Sequence, residues 1–309
     1  MTVFTLSARP GQDTAGQPAP VRWRGMLWVT WRQQRAALVS VAILLGAAVI
    51  FLVVEGRQTR HDYAAALACR GGFAACQAVG NRFYGTDWHA AIAATAAMQA
   101  IPVLLAMFTG PSVLAREFEN GTFRYTWTQG IGRVRWTVAK LTLLAAALTA
   151  VTAALGQLYD WFYAPFLSAK NTPWYTATVL DTHGIVFAAW TLAAFCVGAF
   201  LGMLFRRILP AMAATLGVYA GLAVATYAEL RKNYPVALVT SSASLFASPN
   251  PTRDSPWIVR TWESGGTQWW RYIPESRSWP MQVFEAGWLL VLSLLLIAGT
   301  LWLVRRHAT

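Results

Sequence analysis

Charge is what this sequence has least of. Only 12% of its 309 residues are Asp, Glu, Lys or Arg, about half the usual share of a globular domain. Acidic residues are scarcer still, 13 against 25 Lys and Arg. A water-soluble chain of this length would need far more charge to cover its surface. Catalytic signatures are also missing. No GxxxxGK[ST] phosphate loop, HExxH or GxSxG occurs, which excludes P-loop hydrolysis of ATP by this chain and the common hydrolase chemistries. His61, His89, His183 and His307 are scattered, and with three cysteines they make no metal-ligand spacing. These absences read as no catalytic residue, no metal site and no bound cofactor.

What is present is apolar. Hydrophobic residues make up 56% of the chain, gathered into long runs. A spanning helix needs about 20 such residues, because the hydrocarbon core is about 30 Å thick. Six runs qualify, over 37–54, 90–110, 136–158, 184–205, 209–228 and 284–304. The predicted fold class is therefore an all-α membrane protein with six transmembrane helices. Only Arg206 and Arg207 connect the fourth and fifth runs, so these two must be antiparallel neighbours. Long loops are expected at 55–89, 159–183 and 229–283, all on one side. No acidic residue sits deep in an apolar run, although Glu285 stands at the mouth of the last. That scarcity argues against an ion-coupled mechanism.

Orientation follows from the basic residues. The tail, the loop after the second run, the Arg206–Arg207 turn and the C-terminus hold 14 Lys and Arg, Lys140 included, with three acids. The three longer loops hold 11 with ten acids. Both termini are therefore expected in the cytoplasm, in a multi-pass protein of the plasma membrane. The net charge of +12 reads as an orientation signal and not as a nucleic-acid surface, because the arginines flank apolar runs.

Residues 1–20 are polar, without the apolar core of a signal peptide, and read as a disordered cytoplasmic tail. Over 21–36, Trp23, Met26, Leu27 and Trp31 fall on one helical stripe and Arg24, Arg32 and Arg35 on the other. This predicts an amphipathic helix that either lies in the lipid interface or extends the first span. The six-span domain then occupies 37–309. Cys69 and Cys76 share the first outer loop, where an oxidising compartment permits a disulfide. Gly198/Gly202 and Gly217/Gly221 have the spacing of close helix crossings. The 229–283 loop carries Trp257, Trp262, Trp269, Trp270 and Trp279, which could cap an exit path, contact a substrate or rest at the membrane interface.

The most informative stretch is the loop between the second and third runs. Pro111 suits a helix start and Gly121 a helix stop. Aromatic residues Phe123, Tyr125 and Trp127 then alternate with polar ones, a strand-like period. Such length, charge and aromaticity exceed a connector's needs and suit a docking surface. At Ala115-Arg116-Glu117-Phe118-Glu119-Asn120-Gly121-Thr122, Trp127-Thr128-Gln129, Arg133-Val134-Arg135-Trp136 and Lys140, with Trp31-Arg32-Gln33-Gln34-Arg35 further upstream, the sequence resembles the ABC-2 family of exporter permeases, especially its actinobacterial type.

The resemblance implies a cytoplasmic coupling helix, partly within 122–129, that docks on a separate ABC ATPase subunit carrying ATP and Mg. Arg116, Glu117, Phe118, Glu119, Thr122, Phe123, Arg124, Trp127, Gln129 and Arg133 are the expected docking residues. It further implies a second permease, a homodimer or a related chain, surrounded by lipid. The substrate would be hydrophobic or amphipathic (a drug, antibiotic, lipid or peptide) moving outward. Gln99, Thr149 and Thr152 are path-lining candidates, or else make interhelical hydrogen bonds. The rival reading is a non-transport membrane protein, for immunity or sensing, that binds a partner through its outer Trp-rich loop.

Overall fold

The computed structural model describes residues 23–119, 133–169, 177–235, 238–241, 257–273 and 277–306. The expected tail over 1–20 and the expected coupling helix within 122–129 lie outside the described residues. Among the described residues, six helices are long and apolar enough to cross a membrane. The all-α membrane class stands.

The first helix, α1 (Trp23–Ala68), runs unbroken for 46 residues, about 69 Å at 1.5 Å per residue. It has no boundary at 36–37, where the amphipathic segment was expected to join the first span. Nor does it end at 54. Hydropathy marks where a helix leaves lipid, and says nothing of where the helix stops. Residues 55–62 are polar, but 55–68 contain no proline and only Gly56, so the hydrogen-bonded ladder continues. It ends before Gly71-Gly72, whose backbone freedom favours a break. Helix α2 (Phe73–Asn81) and a π-helical turn (Arg82–Asp87) lead straight into α3 (Trp88–Glu119). The loop expected at 55–89 is therefore almost wholly helical. Its Cys69 and Cys76 are joined in a disulfide, with Cα atoms 5.6 Å apart.

Pro111 does not begin a new helix. Helix α3 passes through it to Glu119, at the loss of one backbone hydrogen bond. Helix α4 (Arg133–Ser168) likewise outruns its expected span, and the short α5 (Ala177–Thr182) follows. Thus most of the loop expected at 159–183 is helical among the described residues. Helix α6 (Gly184–Phe205) is the centre of the bundle and is largely buried. It closes at Arg206, whose left-handed backbone (φ 54°) lets its N–H reach the Gly202 carbonyl. Helix α7 (Ile208–Ala225) departs at once, and α8 (Ser278–Arg306) is the last span.

Close packing fixes α3 against α6. A Cβ on Gly198 would lie 2.8 Å from the Ala106 carbonyl oxygen, and one on Gly202 would lie 2.8 Å from Pro111 backbone atoms. This small-residue pair is an internal crossing. The Gly217/Gly221 pair on α7 meets nothing within 4 Å. At the far end from the Arg206 turn, Tyr63, Phe83, Tyr159, Phe162, Tyr163 and Phe166 form an aromatic core. That core covers the extended ends of α1 and α4.

The last long loop contains a three-stranded antiparallel sheet in the order β1-β3-β2. Its strands are β1 (Val239–Ser241), β2 (Trp257–Ser264) and β3 (Thr267–Ile273). Gly265 and Gly266, both at positive φ, make the two-residue turn whose twist suits such a hairpin. Ile273 at the root packs with Leu180, Tyr234 and Met281.

Candidate functional site

Two charged clusters occupy opposite ends of the bundle. The first lies where α3 ends and the Arg206 turn joins α6 to α7. Helices α3 and α4 place Glu117 and Lys140 face to face at 2.8 Å, and Lys140 Nζ also donates to the Val113 carbonyl oxygen at 2.9 Å. Both side chains are buried. A charge removed from water needs such a partner, since burying it alone costs several kcal/mol or more.

The next two residues of α3 hold the neighbouring turn. The Arg206 guanidinium sits 5.7 Å above the Phe118 ring. Glu119 Oε1 accepts the Ile208 backbone N–H at 2.8 Å, which places a carboxylate at the positive N-terminus of α7. Successive residues of one helix turn thus grip α4, the turn and α7.

This geometry redistributes the expected docking residues. Glu117 is not on a surface, because it is turned inward to Lys140. Phe118 is half-buried, Arg116 and Glu119 are exposed, and Arg133 begins α4. Thr122, Phe123, Arg124, Trp127 and Gln129 lie outside the described residues. The path-lining candidates do not converge. Thr149 and Thr152 stand one turn apart on α4, with Gln99 on α3. The Thr152 hydroxyl donates within its own helix, to the Leu148 carbonyl at 2.8 Å, and the buried Thr149 hydroxyl has no hydrogen-bond partner among the described residues. A cavity of about 330 Å³ between α1 and α3 is lined by apolar residues such as Leu44, Phe51, Met98 and Leu104, and by none of these three.

The second cluster was not anticipated from the sequence. Beyond α7, a π-helical turn (Thr226–Leu230) and a 3₁₀ turn (Arg231–Asn233) carry Arg231 inward. Its guanidinium donates to Glu285 on α8, Nη2 to Oε1 at 2.7 Å and Nε to Oε2 at 3.1 Å, and pairs with Asp181 on α5. Trp190 Nε1 on α6 donates to Glu285 Oε1 at 2.9 Å, and Tyr234 Oη donates to Oε2 at 3.2 Å. Trp288 Nε1 completes the chain by donating to Tyr234 Oη at 3.1 Å. Burial, reinforced by the nearby Glu285 carboxylate, pushes Asp181 up to about 7, against the pull of Arg231. The signal in the sequence was Glu285 itself. A carboxylate within an apolar helix demands a partner, and Arg231 opens the preceding polar segment.

Beside this cluster, Asp160 on α4 accepts the Gly184 N–H at 3.2 Å and pairs with His183 at 2.5 Å. It caps the free N-terminus of α6. Among the described residues, no group of three His, Cys, Asp or Glu is placed to hold a metal ion. A family model described as ABC-2 membrane transporter related matches residues 42–231. No curated protein and no solved structure matches.

Proposed function

We propose, for a chain that belongs to the ABC-2 membrane transporter related family, that it is the permease subunit of an ATP-driven exporter. In this reading the 120–132 loop lies in the cytoplasm with both termini, in the plasma membrane. It docks on a separate ATPase subunit that binds ATP and Mg. A second permease copy or related chain completes the assembly, and a hydrophobic or amphipathic substrate leaves between the two permeases. The exposed, small-residue face of α7 around Gly217 and Gly221 supports that pairing.

One observation carries the proposal. Segment 120–132 follows Glu119 in the chain, and Glu117, Phe118 and Glu119 are tied to α4, the Arg206 turn and α7. A push delivered at Glu119 therefore reaches several helices at once. Transport by an external motor needs such a stiff link between two global states.

The test is co-purification of the tagged chain with its candidate ATPase. Wild type retains the ATPase, and Arg116→Glu/Arg124→Glu loses it while keeping the wild-type thermal transition. Retention of the ATPase by the folded double variant would remove the loop from the interface. Binding of no ATPase by wild type would refute the exporter reading and favour the non-transport one.

A further inference from the structure

We propose that one face of the β2–β3 hairpin is a docking surface for anionic phospholipid headgroups in the leaflet beside the root of α8. The ladder pairs Trp262 directly with Trp269, and Arg260 directly with Arg271. Residues opposite one another, and residues two apart, share a face. One side of the hairpin therefore presents two indoles and two guanidiniums together. The indoles stack with centroids 6.3 Å apart and planes 9° apart, and the Arg271 guanidinium lies 5.6 Å above the Trp262 ring.

Two cations directly opposite in a ladder repel, and among the described residues no carboxylate on this face neutralises them. Glu263 is paired with Gln268 one position on, so it belongs to the other side. The other positions of the face on the described strands, Ser264, Thr267, Ile273, Trp257 and, on β1, Thr240 opposite Arg271, carry no carboxylate. Both arginines are exposed, and neither makes an ion pair with a carboxylate among the described residues. A phosphate between the guanidiniums would turn repulsion into paired charge-assisted hydrogen bonds.

The position of the hairpin selects a lipid as the source of that phosphate. Its root residue, Ile273, packs on Met281 in the first turns of α8, the last span. On the same helix Trp279, Val283 and Phe284 are exposed and apolar, as a lipid-facing surface is. The sheet thus starts at headgroup depth, where tryptophan rings concentrate and arginines are drawn to anionic lipid. This inference needs only the six spans and stands or falls separately from the ATPase reading.

The experiment uses the full chain in nanodiscs containing phosphatidylcholine, with either brominated phosphatidylglycerol or brominated phosphatidylcholine at equal fraction. Tryptophan quenching is read for wild type, for Arg260→Gln/Arg271→Gln, and for Trp262→Phe/Trp269→Phe, which isolates the signal of this face. Phosphatidylglycerol quenches the face more strongly in wild type. The arginine double variant lowers its apparent affinity by about tenfold and leaves phosphatidylcholine quenching and the thermal transition unchanged. Equal quenching by the two lipids in wild type, or an excess that survives loss of both arginines, overturns the proposal. So does efficient disulfide linkage of two copies through Ser264→Cys, which would make the face a protein interface.

Discussion

Lys140 and Glu117 form a buried ion pair at 2.8 Å, two residues before α3 ends at Glu119. Lys140 also bonds the Val113 carbonyl, so a single ammonium group holds two successive turns of α3 against α4. Glu119 anchors the next helix from the same turn. The charges that flank the loop thus serve the bundle's interior as well as its surface.

Removing one member of this pair strands the other in an apolar setting. Lys140→Met is expected to cost about 3–5 kcal/mol, whereas Glu117→Leu/Lys140→Met recovers most of it. Thermal unfolding of the purified protein in detergent checks this. Equal losses for the single and double variants would show that the pair is not coupled.

Loss of the Glu119 carboxylate removes a side-chain acceptor from the start of α7. Glu119→Ala should lower stability by about 0.5–2 kcal/mol, and Glu119→Gln, which keeps an acceptor, by less. In the exporter reading, Glu119→Ala also weakens the permease's stimulation of its ATPase while binding persists. Measured binding and hydrolysis separate the two effects.

The two glycine pairs should respond in opposite ways. Gly198→Ala must push a methyl to 2.8 Å from the Ala106 carbonyl, and overpacking of this kind costs about 1–3 kcal/mol. Gly217→Leu has open space around it and leaves the unfolding temperature of the monomer unchanged. If α7 pairs with a second permease, Gly217→Leu instead reduces self-association, read by cross-linking in membranes.

Asp181 gives stability a pH dependence of definite sign. Its folded value is raised from 3.8 to about 7, so between those values the folded state binds more protons than the unfolded one. Stability therefore falls as pH rises. Its contribution is complete below about 4 and is lost as pH rises through about 7. The carboxylate keeps 28% of its side chain exposed, so bulk solvent can titrate it. The thermal transition should be lower at pH 8 than at pH 5 in wild type, and Asp181→Asn should flatten that difference. A wild-type transition that rises over this interval would contradict the assignment.

The disulfide closes a short loop, Cys69 to Cys76. Cys69→Ser/Cys76→Ser should destabilise by about 2 kcal/mol on the chain-entropy argument. Maleimide should label two thiols only after reduction, with buried Cys196 protected until unfolding. Labelling of Cys69 before reduction would mean that the bond is not formed.

How much of this was legible depends on which physical signal each feature leaves. The six spans and the Arg206–Arg207 turn were plain, because lipid imposes length and hydropathy on every crossing helix. The helical ends of α1 and α4 were not, because the apolar run of α1 gives way to polar residues at 55–62, and polarity alone cannot separate a water-exposed helix from a loop. Pro111 looked like a helix start, yet tight packing on Gly202 keeps it inside α3. The hairpin announced itself weakly through Gly265-Gly266 between aromatic-rich segments, within a loop read only for its tryptophans. Partner choice was the least visible. Nothing in the order of residues says that Arg231 meets Glu285, 54 positions away, or that Glu117 faces Lys140 and not a docking subunit.

The left-handed turn at Arg206 also bears on how the chain is built. With Arg206 and Arg207 alone between them, α6 and α7 are too tightly joined to be threaded into a bilayer separately, and they enter as one antiparallel unit. Helix α6 is long and apolar enough to cross a membrane, and so to face lipid on its own. The α8 wall arrives about seventy residues later in synthesis. The face of α6 that α8 covers thus stands open until the last span arrives, whereas the face packed on α3 has its partner already made.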